Sequence, residues 1–267
     1  MMTTTLHTAA LLAVAMLGAA AAAHAQVPDE PRPAASVVLV HGAFVDGSGW
    51  RGVHDELTAR GYRVAIVQNP LTSLREDVEA TTRVIDRQPG AVILVGHSWG
   101  GSVITEAGGH PKVAALVYVS ALAPDAGETT AQQYAGFPAA MEFVIDTHQD
   151  GYGFVNAAHF KAAFAADMDD ADAAFLRDSQ VPINMSVFDT PLGQAAWRSR
   201  PSWAVIARDD RAFGEGMLAH MAQRIGATVV EVPGSHAAFI TQAGAVADAI
   251  ALAARETGHP ATIDVIR

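Results

Sequence analysis

Short apolar runs, rich in β-branched residues, alternate along the chain with stretches in which apolar residues recur every three or four positions. Ser36 to Val40 (SVVLV) is the first run and ends at His41-Gly42. Beyond it Trp50, Val53 and Leu57 recur at helical spacing, with Gly61 where a helix would stop. Arg63 to Val67 predicts a second strand, and Leu74, Val78, Thr81 and Ile85 predict a helix ending before Pro89-Gly90. Ala91 to Val95 is a third strand, with a helix beginning near Trp99, and Val113 to Val119 is a fourth. In the C-terminal third, Trp203 to Ala207 and Thr228 to Val232 read as strands around a helix carrying Met217, Leu218, Met221 and Ile225; a last helix covers about 242–255. Strands that are apolar throughout, rather than alternating, are buried on both faces. With helices between them, they predict an α/β fold built on a mostly parallel, doubly wound sheet.

One segment breaks this rhythm. From about 121 to 200 the chain is Ala-rich and helix-like in pieces, without a convincing strand. That is too long for an ordinary connection between successive strands, and it reads as a helical cap inserted over one edge of the sheet.

The two ends and the bulk composition narrow the function classes. The first 25 residues carry an unbroken apolar run from Ala9 to Ala23 and end in Ala23-His24-Ala25. This fits a signal peptide cleaved before Gln26, since the run is shorter than the roughly 20 residues a span requires. No Lys or Arg precedes the run, so an uncleaved anchor is the alternative. Residues 26–35 form a Pro-rich polar leader, leaving 36–267 as the domain and a periplasmic or secreted location as the expectation. After signal removal no stable membrane association is expected. The net charge of −11, without basic runs, argues against a nucleic-acid partner. There is no cysteine and no His-Glu-x-x-His pattern, so no thiolate chemistry and no metal or other cofactor is expected.

The chemistry is carried by Val92 to Val103, VILVGHSWGGSV. Gly96-His97-Ser98-Trp99-Gly100 is a G-x-S-x-G motif between a strand and a helix. In that setting a serine sits on a sharp turn, with its hydroxyl raised above the sheet and the next backbone N–H at a helix start. Ser98 is therefore the candidate nucleophile, and it requires a base to take its proton. Of the eleven histidines, His236 follows the last strand, at the sheet edge where open α/β sheets place their sites. It also completes the chain order serine, acid, histidine. His97 lies in the elbow and is expected to point away from the hydroxyl. The acid belongs on the loop after the preceding strand, where Asp209 and Asp210 both qualify. Strand one ends in His41-Gly42, which directs the amide of Ala43, or failing it Phe44, towards the developing oxyanion; the Trp99 amide is the second donor.

These residues resemble the α/β-hydrolase superfamily, and more narrowly the bacterial esterases grouped with plant methylesterases and hydroxynitrile lyases. The phrases VLVHGAFVDGSGW, VGHSWGGSVI, LVYVSALAPDAGE, WRSRPSWAVIARDDRAF and EVPGSHAAFI carry the resemblance from Val38 to Ile240. It implies the α/β-hydrolase fold, with Ser98 as nucleophile, Asp210 as orienting acid (it occupies the family position before a basic residue), His236 as base, and Ala43 and Trp99 as oxyanion donors. Ala237 stands where related hydroxynitrile lyases have lysine, which argues against cyanohydrin cleavage.

The expected function is hydrolysis of carboxylic esters through an acyl-enzyme. The partner is a small ester, apolar or aryl, held by some of the cap residues Tyr134, Phe137, Met141, Phe143, Tyr152, Phe154, Phe160, Phe164 and Phe175. A cofactor-free haloperoxidase or perhydrolase using the same triad, and a non-enzymatic binding protein with an idle triad, are the alternatives. Spacing along the chain fixes neither the ester nor the oligomeric state.

Overall fold

A computed structural model of the chain describes residues 35–261, so the signal reading and the leader reading up to residue 34 lie outside the described residues. In chain order the elements are β1 (Ser36–Val40), α1 (Arg51–Ala59), β2 (Arg63–Val67), α2 (Leu74–Asp86), β3 (Val92–Ser98), α3 (Gly100–Ala107) and β4 (Val113–Ala121). The inserted segment follows, with β5 (Ile145–Thr147), β6 (Tyr152–Val155), α4 (Phe160–Phe164), α5 (Asp170–Asp178) and β7 (Ile183–Asn184). The chain then returns through β8 (Ser202–Ala207), α6 (Met217–Arg224), β9 (Thr228–Val232), α7 (Ala238–Thr241) and α8 (Ala243–Glu256).

The main sheet has six strands in the order β2-β1-β3-β4-β8-β9, every pairing parallel. β1, β3 and β4 are buried almost throughout, as their unbroken apolar sequences require: a parallel sheet covered by helices on both faces leaves no side for water. β2 and β9 flank the sheet and carry the exposed polar positions. From β1 the chain moves outward to β2 and then crosses to β3 on the other side, so the direction of winding changes between β1 and β3. Loops diverge at such a switch point and leave a crevice at the carboxyl ends of the strands. The loops after β1 and β3 hold the residues of interest.

The segment between β4 and β8 is mixed rather than purely helical. β5, β6 and β7 form a separate three-stranded antiparallel sheet of two to four residues per strand. Strands this short give no periodicity to read: the Tyr152–Val155 strand alternates half-buried and buried positions for only two repeats. The aromatic residues divide accordingly. Phe160 and Phe164 are buried packing residues, whereas Met141 and Phe175 stand in solvent.

Candidate active site

β3 runs one turn further than its apolar run predicts and ends on Ser98 itself, which adopts φ +52°. A left-handed backbone at a non-glycine residue is strained, and it is what aims the side chain out of the sheet. The flanking glycines do a different job, because their own backbones are ordinary. A Cβ on Gly96 would lie 2.4 Å from the Gly100 carbonyl oxygen, and one on Gly100 would lie 2.7 Å from that of Val40. They let β3, α3 and β1 pack closely enough for the turn to close. Gly42 serves the facing loop in the same way: its Cβ would come within 2.8 Å of the Ser98 Cβ. The Ala43 loop is thereby brought against Ser98, and Ala43, Ser98 and Trp99 line one cavity. Among the described residues neither the Ala43 nor the Trp99 amide donates to a backbone carbonyl, which leaves both N–H groups free for a ligand.

His236 and Asp210 are brought together. His236 Nδ1 lies 2.8 Å from Asp210 Oδ2, with the two side chains 0% and 2% exposed. A carboxylate only accepts, so Nδ1 carries the proton and Nε2 presents its lone pair. The other oxygen, Asp210 Oδ1, accepts from the Ala212 amide at 2.8 Å, which fixes the carboxylate plane. Asp209 points elsewhere, accepting from the Gly234 amide at 3.3 Å from an exposed position, so the structure separates the two aspartates that sequence left adjacent. His236 Nε2 is buried without a hydrogen-bond partner among the described residues. Phe143 and Phe213, which line the Ser98 cavity, pack edgewise on the His236 ring at 6.2 and 5.3 Å between centroids. The serine and the histidine thus share neighbours without being hydrogen-bonded.

The other histidines of the site are structural. Among the described residues His97 makes no hydrogen bond to the Ser98 hydroxyl. Burial, reinforced by the nearby His236, holds its pKa well below the usual histidine value, so the ring is neutral. Its Nε2–H donates to the His236 carbonyl at 3.0 Å, and its ring lies 4.1 Å from that of Phe239. His97 therefore braces His236, a role its position beside the serine does not announce. Burial likewise lowers the pKa of His41 despite the opposing Gly42 carbonyl and Asp46. His41 accepts the Asn69 amide on Nε2 at 2.9 Å and donates from Nδ1 to the Gly42 carbonyl at 2.8 Å, stiffening the loop that carries Ala43.

The cavity over Ser98 measures about 500 Å³, within the range of small-molecule sites. Of the aromatic residues expected in it, Tyr134, Phe137 and Phe143 are there. Met185, Phe188 and Phe213 also line it and were not anticipated; no local pattern marks them, since they come from a short 3-10 helix after β7 and from the loop after Asp210. Apart from Ser98 and Tyr134 its side chains offer no free polar group, because the Trp99 indole nitrogen is engaged by Asp77 at 2.8 Å.

A sequence model of the alpha/beta hydrolase family matches residues 37–249. The chain is 33% identical over 141 residues to a carbendazim hydrolyzing esterase of Nocardioides sp. (strain SG-4G), a match spanning 43% of this chain and 57% of that protein. It is 29% identical over 250 residues to a pyrethroid hydrolase of Sphingobium wenxiniae, spanning 80% of this chain and 86% of that protein. Among solved structures, an extracellular alpha/beta-hydrolase from a Paenibacillus species superposes with a TM-score of 0.70 at 20% identity, covering 82% of this chain and 98% of that one. The G-x-S-x-G turn at the switch point of a six-stranded parallel sheet and the match over most of the described residues agree: this chain belongs to the alpha/beta hydrolase family.

Proposed function

We propose that the protein is a serine carboxylesterase acting on small apolar or aryl esters, with Ser98, Asp210 and His236 as its triad and the Ala43 and Trp99 amides as its oxyanion hole. The observation that carries this reading is the buried Asp210–His236 pair at 2.8 Å, its free Nε2 lying behind residues of the Ser98 cavity. His236 takes the Ser98 proton as Oγ attacks the ester carbonyl, and the oxyanion forms against the two amides. Collapse expels the alcohol, which receives the proton from His236; water then attacks the acyl-enzyme by the same route and regenerates Ser98. In unliganded sites the nucleophile–base bond is commonly long and tightens with substrate, which fits the unpartnered Nε2. The largely apolar cavity suits a hydrophobic acyl or aryl group, and the esterase and pyrethroid hydrolase relatives point to the same class of substrate.

The reading extends to the chain as a whole: residues 1–25 as a signal peptide, 26–35 as a leader, and 36–267 as a hydrolase domain with a cap over about 121–200, acting in the periplasm or outside the cell. The extracellular Paenibacillus neighbour is compatible with this location. The test is hydrolysis of short p-nitrophenyl esters by the wild type and by Ser98→Ala, with the mature N-terminus read by mass spectrometry. Loss of several orders of magnitude in the variant, and a chain beginning at Gln26, are expected. Equal rates overturn the triad. Peroxide-dependent halogenation in carboxylate buffer, without ester turnover, moves the chain to the perhydrolase reading, and ligand-induced thermal stabilisation without any turnover moves it to a binding protein.

A further inference from the structure

The mechanism leaves one buried carboxylate without a task. Asp77 lies on the core-facing stripe of α2, between Leu74 and Thr81, and is 0% exposed. Among the described residues no cation stabilises it, and the one charged neighbour acting on it is Glu76, a like charge. Burying an unpaired carboxylate costs several kcal/mol unless N–H donors replace its water, so the position is one where an apolar residue would ordinarily serve the fold better. Two donors are supplied. The Trp99 Nε1–H reaches Oδ2 at 2.8 Å, and the Leu71 amide reaches Oδ1 at 2.8 Å.

Both donors belong to parts of the site. Trp99 follows the nucleophile directly, and its indole forms a wall of the cavity, packed edgewise on Phe188 of the inserted segment at 5.4 Å. With its nitrogen held by Asp77 and its ring by Phe188, the side chain is fixed at two points, and the peptide to which it is attached loses freedom to pivot. Leu71 adopts φ +57°, and its carbonyl accepts the Asn184 amide of β7 at 2.9 Å. The same carboxylate thus ties the elbow, through Trp99, to the place where the insertion meets the sheet.

We propose that Asp77 is a positioning residue for the nucleophile elbow, acting through Trp99 to hold the second oxyanion amide and the adjoining cavity wall in register with the insertion. This rests on the reading of Trp99 as an oxyanion donor. Asp77 touches no substrate atom; its effect passes through the indole.

The experiment is a double-mutant cycle on the full chain with Asp77→Ala, Trp99→Phe and the pair, reading kcat and KM for a p-nitrophenyl ester, melting temperature, and tryptophan emission. Trp99→Phe keeps an aromatic ring while removing the N–H link together with part of the indole, so it remains informative if Asp77→Ala folds poorly. Each single change is expected to lower kcat by about five-fold or more, a fraction of the roughly 100- to 1,000-fold cost of deleting an oxyanion donor, with KM moving less. The pair should be little worse than the worse single variant, because both break one link. Full kcat per folded molecule in both single variants, with only the melting temperature lowered, overturns the proposal, as do losses that multiply. Emission separates this from the esterase reading. The Trp99 contribution, obtained as the difference between each protein and its Trp99→Phe counterpart, should shift on Asp77→Ala even if no ester is turned over. An unchanged contribution overturns the link itself.

Discussion

Ser98 holds a left-handed backbone that costs a non-glycine residue about 1–3 kcal/mol, and the fold sustains it because β3, α3 and the Ala43 loop close around it. Relieving the strain should therefore stabilise the protein while destroying its chemistry. Ser98→Gly is expected to raise the melting temperature by about 2–4 °C per kcal/mol of relief in a domain of this size and to abolish esterase turnover. Calorimetry beside the ester assay checks this, and a lower melting temperature would show that the turn is not strained. At the same scale the two aspartates after β8 differ sharply. Asp210→Asn should lower kcat by about 1,000- to 10,000-fold, since an amide facing Nδ1 favours the wrong tautomer. Asp209→Asn should stay within about two-fold of wild type, its carboxylate being exposed and turned to Gly234. Both rates come from one steady-state assay. Sequence alone left this pair undecided and needed a family resemblance to rank it; backbone geometry separates them, because successive residues of a loop point in different directions.

At the scale of elements, the insertion both roofs the cavity and holds His236. The Phe164 carbonyl accepts the Ala237 amide at 2.9 Å and the Ser235 hydroxyl at 3.1 Å, gripping His236 from both sides. Asp167 accepts from the Ser235 and Thr241 hydroxyls. Burial works to raise the Asp167 pKa, but the hydroxyl and amide donors outweigh it and hold the carboxylate below its usual value. A depressed carboxylate stabilises the fold above its unfolded pKa, and that contribution disappears as pH falls through the lower folded one. Asp167 is exposed, so water screens the clamp, and Asp167→Asn should cost no more than about 1 kcal/mol at neutral pH and progressively less in acid, as urea titrations at several pH values would reveal. A pH-independent cost would show that charge is not what the clamp uses. The regular elements were legible beforehand, and most boundaries fell within one or two residues of the apolar runs. The exceptions are informative. β5 to β7 are too short to display a period, and Phe188 and Phe213 reach the cavity from a short 3-10 helix and a loop whose sequences carry no facing signal.

At the scale of the whole molecule, unfolding exposes Asp77 to water, which ties global stability to its titration. Burial, opposed by the Trp99 and Leu71 donors and aided by Glu76, raises its carboxyl to about 6. A carboxyl raised in the folded state stabilises the protein fully below its unfolded pKa, near 4, and that contribution is lost as pH rises through 6. The window spans about two pH units, or about 3 kcal/mol. Between pH 4 and 6.5 the slope of unfolding free energy should thus be less favourable to high pH in the wild type than in Asp77→Asn, measured by chemical denaturation. Identical slopes would place the carboxyl at an ordinary value. The signal was present in the sequence as an acid on an apolar helical stripe, yet its meaning depended on what the stripe faces.

The sequence by itself determined the alternation of strands and helices, the parallel sheet and the G-x-S-x-G turn that carries Ser98, because each rests on local periodicity or on residues adjacent in the chain; it also singled out His236 as the candidate partner by its place after the last strand. The acid it narrowed to two neighbours. Only the tertiary structure decided which aspartate meets His236, that His97 and Phe164 brace the base, that Asp77 grips the elbow, and which side chains enclose the cavity. Those relations join residues 22 to 139 positions apart, or turn on side-chain direction in loops. A linear pattern carries no such information: distance and direction between remote segments are set by packing of the whole chain.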